Sequence, residues 1–313
     1  MNMNEYFSFN EGRDLVLRFE RLLKKNGITI ELGGDLKNKY RSVFEVLFRF
    51  EQHKKRGDSE DYQSLFRDFS ALYDLALKVI SVKKHDDFRR LLPHLRKLNK
   101  CNSAQNWPSP ITDQDANKII ELYLAALCMR IGTSVYLDDP YNSKGNNPDV
   151  IASLNGRRWG FACKTIHTNN SQTMFENIEK AINQIEKSDA EIGVPVINTK
   201  NMLPHDHIWP LEKFFLSETE PLSILKAAVK QIQDRFEHDI GLEHILARFR
   251  GKKALPGVIY IAQSVSSVFF IETSTPTPIR LNVMSLQKFS ENEFTDSVVE
   301  VIRRLNHYMQ LAK

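Results

Sequence analysis

The sequence predicts an α/β chain whose first third is all helical. Apolar residues recur at helical spacing through the first hundred residues, and a polar stretch with two prolines, CNSAQNWPSPI, follows at 101–111. Beyond it, helical stripes alternate with short apolar runs bounded by turn residues. Two domains are expected: a helical, partly basic one over 1–105 and an α/β one over 106–313. With 313 residues, 42% of them hydrophobic, the chain can bury a core without disulfides or structural metals.

In the N-terminal part, Leu15, Leu17, Phe19, Leu22 and Leu23 form a stripe that ends before Gly27. Val43, Phe44, Val46, Leu47 and Phe50 form a second. A third runs from Leu65 to Ile80 behind a cap at Ser59, and Leu91, Leu92 and Leu95 form a short fourth. After the boundary, Thr112 or Asp113 caps a helix to about Ile131, with Gly132 as its stop. Strands are expected near Ser134–Leu137, in PDVIASL, in RRWGFACKTI and in IGVPVIN, with a helix capped by Ser171 and running to about Ser188 before the last. Helices from Pro221 to His238 and near 242–250, strands GVIYIA and VFFIE, and a helix capped by Ser290 and Glu293 complete the chain.

The net charge of +4 is too small to identify a partner, but its distribution is uneven. Residues 1–100 carry 21 basic and 15 acidic side chains, whereas 101–200 carry 9 and 11. The surplus gathers at Lys78, Lys83, Lys84, Arg89, Arg90, Arg96, Lys97 and Lys100, either a solvated helix face or a surface for phosphates. Three dispersed cysteines suggest no disulfide framework, and the N terminus shows neither a signal core nor a transit pattern, so a reducing cytoplasm is expected. No stretch reads as a membrane span. GxxxxGK and GxGxxG are missing from the sequence, which leaves a P-loop or Rossmann nucleotide site unsupported.

Asn155-Gly156 is a strong hairpin signal, because a type I′ turn needs positive φ at both central residues. With that turn, Leu154 faces Arg157 and Asp149 falls opposite Ala162. Lys164 is then diagonal to Asp149 on the same face, while Trp159, Phe161 and Cys163 turn to the other, toward a core. An aspartate beside a lysine here is either an ion pair at a strand edge or a carboxylate holding a hard divalent cation, with a lysine to orient water on it.

Pro148-Asp149, the triplet ending at Lys164 and the order helix, three strands, helix, strand resemble the PD-(D/E)XK nuclease superfamily over about residues 112–198. The resemblance implies a restriction-endonuclease-like core and metal-dependent cleavage of phosphodiesters. Asp149 would bind Mg²⁺ or Mn²⁺, the Cys163 backbone carbonyl would be an extra ligand, and Lys164 would position or activate water. The acid of the triplet would stand at 162, where this chain has Ala162. Three explanations remain open: another carboxylate substitutes, the site is kept for binding alone, or a glutamate at 162 has been replaced by alanine. For the first, the helix after the lysine strand offers Glu176 and Glu179, of which Glu179 borders the buried stripe.

Glu121, the single charge in IIELYLAALCM, is either on a narrow exposed edge or, as in relatives with a glutamate on the first core helix, at the metal. Gln184 stands on the second core helix, where some relatives place a glutamine. Lys144 and His167 could meet phosphate. His205 and His207 could share a strand face, though a polar loop explains them as well. Nucleic acid, DNA ahead of RNA, is the expected partner, with a second copy or an ATPase or helicase subunit as further candidates. Nucleases with an attached helical domain resemble restriction or anti-phage defence proteins.

Overall fold

The structure, a computed structural model, describes residues 9–52, 60–141, 145, 147–211, 213–270 and 275–311. Ser59 and Lys144 lie outside them. Among the described residues the chain forms an α/β fold of ten α-helices and a six-stranded mixed sheet. Helices α1 (Phe9–Lys25), α2 (Asp35–Gln52), α3 (Glu60–Ser81) and α4 (Leu92–Lys97) precede the sheet. The core order is α5 (Asn117–Ile131), β1 (Thr133–Leu137), β2 (Val150–Leu154), β3 (Arg157–Thr165), α6 (Ser171–Lys187) and β4 (Ile192–Asn198). Then come α7 (His205–Ile208), α8 (Thr219–Ile240), α9 (Leu242–Phe249), β5 (Gly257–Phe270), β6 (Thr275–Lys288) and α10 (Asp296–Gln310).

Strands follow chain order across the sheet. β1, β2 and β3 are antiparallel, β3, β4 and β5 parallel, and β6 returns antiparallel to β5. The Asn155-Gly156 turn has φ of 48° and 76°, and Leu154 pairs with Arg157 and Val150 with Phe161. Alternate residues of β3 serve two layers. Trp159, Phe161 and Cys163 join the cluster that contains α5 and the N-terminal helices, whereas Ala162 joins the cluster on the α6 and α8 side. Covered on both faces, β4 is buried at every residue, as parallel strands between helix layers are. Gly132 closes α5 with extended backbone, not a left-handed cap; a Cβ there would collide with the Ser153 carbonyl oxygen.

Within the polar segment 101–111, Cys101, Ser103, Ala104, Gln105, Asn106 and Ser109 are buried. One apolar cluster runs from Leu15 through α5 to Met309. Asp113 stabilises the turn ahead of α5, accepting from the amides of Ala116 at 3.0 Å and Asn102 at 2.9 Å. Asn170, not Ser171, caps α6, its side chain accepting from the Thr173 amide at 2.8 Å.

The C-terminal third departs most from the sequence expectation. GVIYIA and the first three residues of VFFIE belong to one 14-residue strand, β5, while Ile271 and Glu272 lie outside the described residues; its partner β6 is an element the sequence pattern does not announce. Buried polar residues in mid-strand break the apparent pattern: Gln263 donates to Asp74 at 2.9 Å and Ser266 to the Ile208 carbonyl at 2.6 Å. Pro276 and Pro278 are tolerated because β6 is an edge strand. Ser290 does hydrogen-bond Glu293, but α10 starts later, behind Thr295. His205 and His207 share no strand face; they lie on α7, where His205 is buried against Ser264 and the Lys200 carbonyl.

The basic stretch runs from the last turn of α3 through a turn, a 3-10 helix at Asp86–Leu91 and α4, and not all of it faces solvent. Lys78 is buried with its ammonium 2.7 Å from the Leu311 carbonyl oxygen, and buried Lys97 reaches Asp115 at 2.8 Å. Lys83, Lys84, Arg89, Arg90, Arg96 and Lys100 remain exposed.

Candidate active site

Asp149 stands one residue before β2, and the β2–β3 register extended by one step places it beside Ala162. The Cys163 amide fixes it, donating to Oδ2 at 2.6 Å. The N–H and C=O of a strand residue point to the same neighbour, so the Cys163 carbonyl also points off the end of β2 on the Asp149 side.

Glu121 approaches from α5, a helix buried nearly all round. Its side chain is only 4% exposed. It takes the Lys118 ammonium at 2.8 and 3.1 Å and His94 Nε2 at 3.2 Å, and it interacts electrostatically with Asp149. Lys118 Nζ is also 3.9 Å from Asp149 Oδ1. Two buried carboxylates from different elements thus face each other, with one ammonium spanning them.

Burial raises the pKa of Asp149 to about 7, and Glu121 pushes the same way, against Lys164, Lys118 and the Cys163 amide. Burial likewise raises Glu121. For Lys118, burial opposes the charge, but Glu121 and Asp149 outweigh it and its pKa is raised. Burial first, and Lys118 next, hold His94 down at about 3. The neutral imidazole then donates through Nε2 to Glu121, which leaves Nδ1 as a buried acceptor with no partner among the described residues.

Lys164 ends on the α6 side, half-buried, with Nζ 2.5 Å from Gln184 Oε1. Gln184 Nε2 donates to the Asn147 carbonyl at 3.0 Å, so one glutamine ties the lysine to the loop that leads into Asp149. The positive charge of Lys164 acts on both Asp149 and Glu121.

The structure therefore brings together Asp149, Glu121, Lys164, Gln184 and the Cys163 backbone. It does not bring in Glu179, which pairs with Arg248 of α9 at 2.8 Å, nor Glu176, which takes a hydrogen bond from Gln172. Ala162 is fully buried in the apolar cluster on the α6 side. His167 turns to Asn201, with 3.1 Å between Nδ1 and Nδ2. Lys83, Lys84, Arg89 and Arg90 lie on the surface beside β1, where Arg90 pairs with Asp87 at 3.6 Å and covers Tyr136. Sequence reasoning missed Lys118 and His94. Lys118 was legible as a lysine one turn before Glu121, but His94 reaches the site only through the packing of α4 on α5.

Among the described residues no group of three or more His, Cys, Asp or Glu side chains is placed to hold a metal ion. The donor set is nonetheless one that suits Mg²⁺, which takes one or two carboxylates and leaves its other positions to water and phosphate. Asp149 and Glu121 would hold it, with the Cys163 carbonyl nearby. The chain matches no family model, no curated protein and no solved structure. No helix among the described residues is long and apolar enough to cross a membrane.

Proposed function

We propose that this chain is a Mg²⁺- or Mn²⁺-dependent nuclease built on a restriction-endonuclease-like core, acting on DNA ahead of RNA. The observation that carries it is the convergence of Asp149, Glu121 and Lys164 from three elements at the end of the β2–β3 hairpin. A bound divalent ion would polarise the scissile phosphate and lower the pKa of an attacking water. Asp149 and Glu121 provide the negative site for it, and the Cys163 amide and His94 hold those carboxylates in place. Lys164, aimed by Gln184, stabilises hydroxide or the charge that builds on the phosphorane. The exposed cations from Lys83 to Lys100 supply sequence-independent backbone affinity. Restriction or anti-phage defence, in a cytoplasmic setting, fits such an activity.

Incubation with supercoiled plasmid and with single-stranded RNA tests the proposal. Nicking that needs Mg²⁺ and is lost in Lys164→Ala is expected. No cleavage of either substrate in any divalent ion would overturn it. Ala162 supports a second reading, a nucleic-acid-binding protein or scaffold subunit without hydrolysis. Activity that appears only in Ala162→Glu would instead identify a disarmed nuclease.

A further inference from the structure

The site contains two lysines that are held in different ways. Among the described residues, Lys164 has no carboxylate within ion-pair distance; its partner is the amide of Gln184. Lys118 sits on both oxygens of Glu121 and 3.9 Å from Asp149, so its ammonium stands where a cation shared by the two carboxylates would stand. It belongs to the first turn of α5, and its side chain is 20% exposed, more than either acid. A four-carbon stem with three rotatable donors can swing outward without moving the helix.

We propose that Lys118 is a tethered counter-cation, which holds Glu121 and Asp149 together while the site lacks a divalent ion and must leave for one to enter. This rests on the reading of the two carboxylates as a divalent-cation site. Two buried carboxylates that share one ammonium would otherwise repel, and a lysine one turn from Glu121 on α5 offsets that repulsion as long as no divalent ion is bound. Its occupancy therefore taxes the apparent metal affinity by the fraction of molecules in which it is displaced. Lys118 acts through the carboxylates and is a positioning residue.

The test is Mn²⁺ binding, followed by the electron paramagnetic resonance of free Mn²⁺, together with thermal melting in EDTA. Lys118→Met keeps the stem and removes the charge. It is expected to bind Mn²⁺ about tenfold more tightly than the unaltered protein, to melt lower in EDTA and to recover in saturating Mn²⁺. Lys118→Arg keeps the charge and is expected to bind no more tightly than lysine; it carries the test if the methionine variant does not fold. Equal or weaker binding by Lys118→Met, or a tenfold gain in Lys118→Arg, would overturn the proposal while leaving the cation site intact. If neither the unaltered protein nor Lys118→Met binds Mn²⁺, the cation site itself fails and the proposal fails with it.

Discussion

The Cys163 amide donates to the Asp149 carboxylate at 2.6 Å, which fixes the aspartate to the strand residue that precedes Lys164. Asp149→Asn keeps an oxygen that can accept this bond but loses the charge. It should fold, with an unchanged circular dichroism spectrum, and lose at least about a hundredfold in single-turnover plasmid nicking. Residual activity within a few-fold of the unaltered protein would remove Asp149 from the chemistry.

Glutamine 184 is expected to act on Lys164 and not on the metal. Gln184→Leu frees Nζ from its acceptor and the loop at Asn147 from its donor. Mn²⁺ affinity should stay within about twofold, while the nicking rate falls about tenfold through misplacement of the lysine. Comparable losses in both measurements would show that the glutamine organises the whole site.

The surface cations should act uniformly. Changing Lys83, Lys84, Arg89 and Arg90 to Glu should weaken binding to duplex DNA of any sequence. The slope of log affinity against log salt should shrink by about 0.9 for each phosphate that is no longer neutralised. Melting should change little, because all four side chains are exposed and the one surface pair lost, Arg90 with Asp87, contributes at most about 1 kcal/mol. An unaltered salt slope would place the nucleic acid elsewhere.

Asp74 joins the N-terminal helices to the β5–β6 hairpin. It is buried and pairs with Arg280, with Lys78 at 3.7 Å, while Gln263 donates to it at 2.9 Å. Asp74→Ala leaves the buried Lys78 and the largely buried Arg280 without their counter-charge and should cost about 3–5 kcal/mol in urea unfolding. A loss below about 1 kcal/mol would mean that this network does not hold the two parts together.

Lys200 gives a pH dependence of known sign. It is fully buried, its ammonium donates only to the Ala104 carbonyl among the described residues, and burial lowers its pKa from 10.5 to about 8. Between those values the unfolded chain holds the proton more tightly, so this residue makes stability rise with pH across that window; below it the whole cost of burying the charge is present. Lys200→Met should therefore exceed the unaltered protein by up to about 3 kcal/mol at pH 7. The difference should shrink as pH approaches 10.5. A constant difference between pH 7 and pH 10 would exclude titration as its cause. Lys78 titrates over a similar range and cancels in the comparison.

What was legible in the sequence follows from how local each signal is. Asn155-Gly156 fixes the hairpin because positive φ is a property of two residues, and the register places Asp149 and Lys164 near each other without knowledge of the rest of the fold. Glu121 stands out as a charge in an apolar helix. Glu179 is misplaced by sequence reasoning because a helical stripe shows which side is buried, not which neighbour covers it; the neighbour is α9, through Arg248. Lys118, one turn before Glu121 on the same helix, was legible but missed, whereas His94 becomes visible only when the N-terminal segment is packed on α5. β6 is hidden because Pro276 and Pro278 interrupt its pattern and are tolerated only at the sheet edge, and the full length of β5 because its buried Ser266 is satisfied by the Ile208 carbonyl, far away in the chain.

The central claim is that Glu121 and Asp149 are one cation site. Equilibrium Mn²⁺ binding to the unaltered protein, to Glu121→Gln and to Asp149→Asn tests it most directly. One ion per chain is expected, with a loss of at least about tenfold in each variant. No bound ion, or an affinity that both variants leave unchanged, would contradict it.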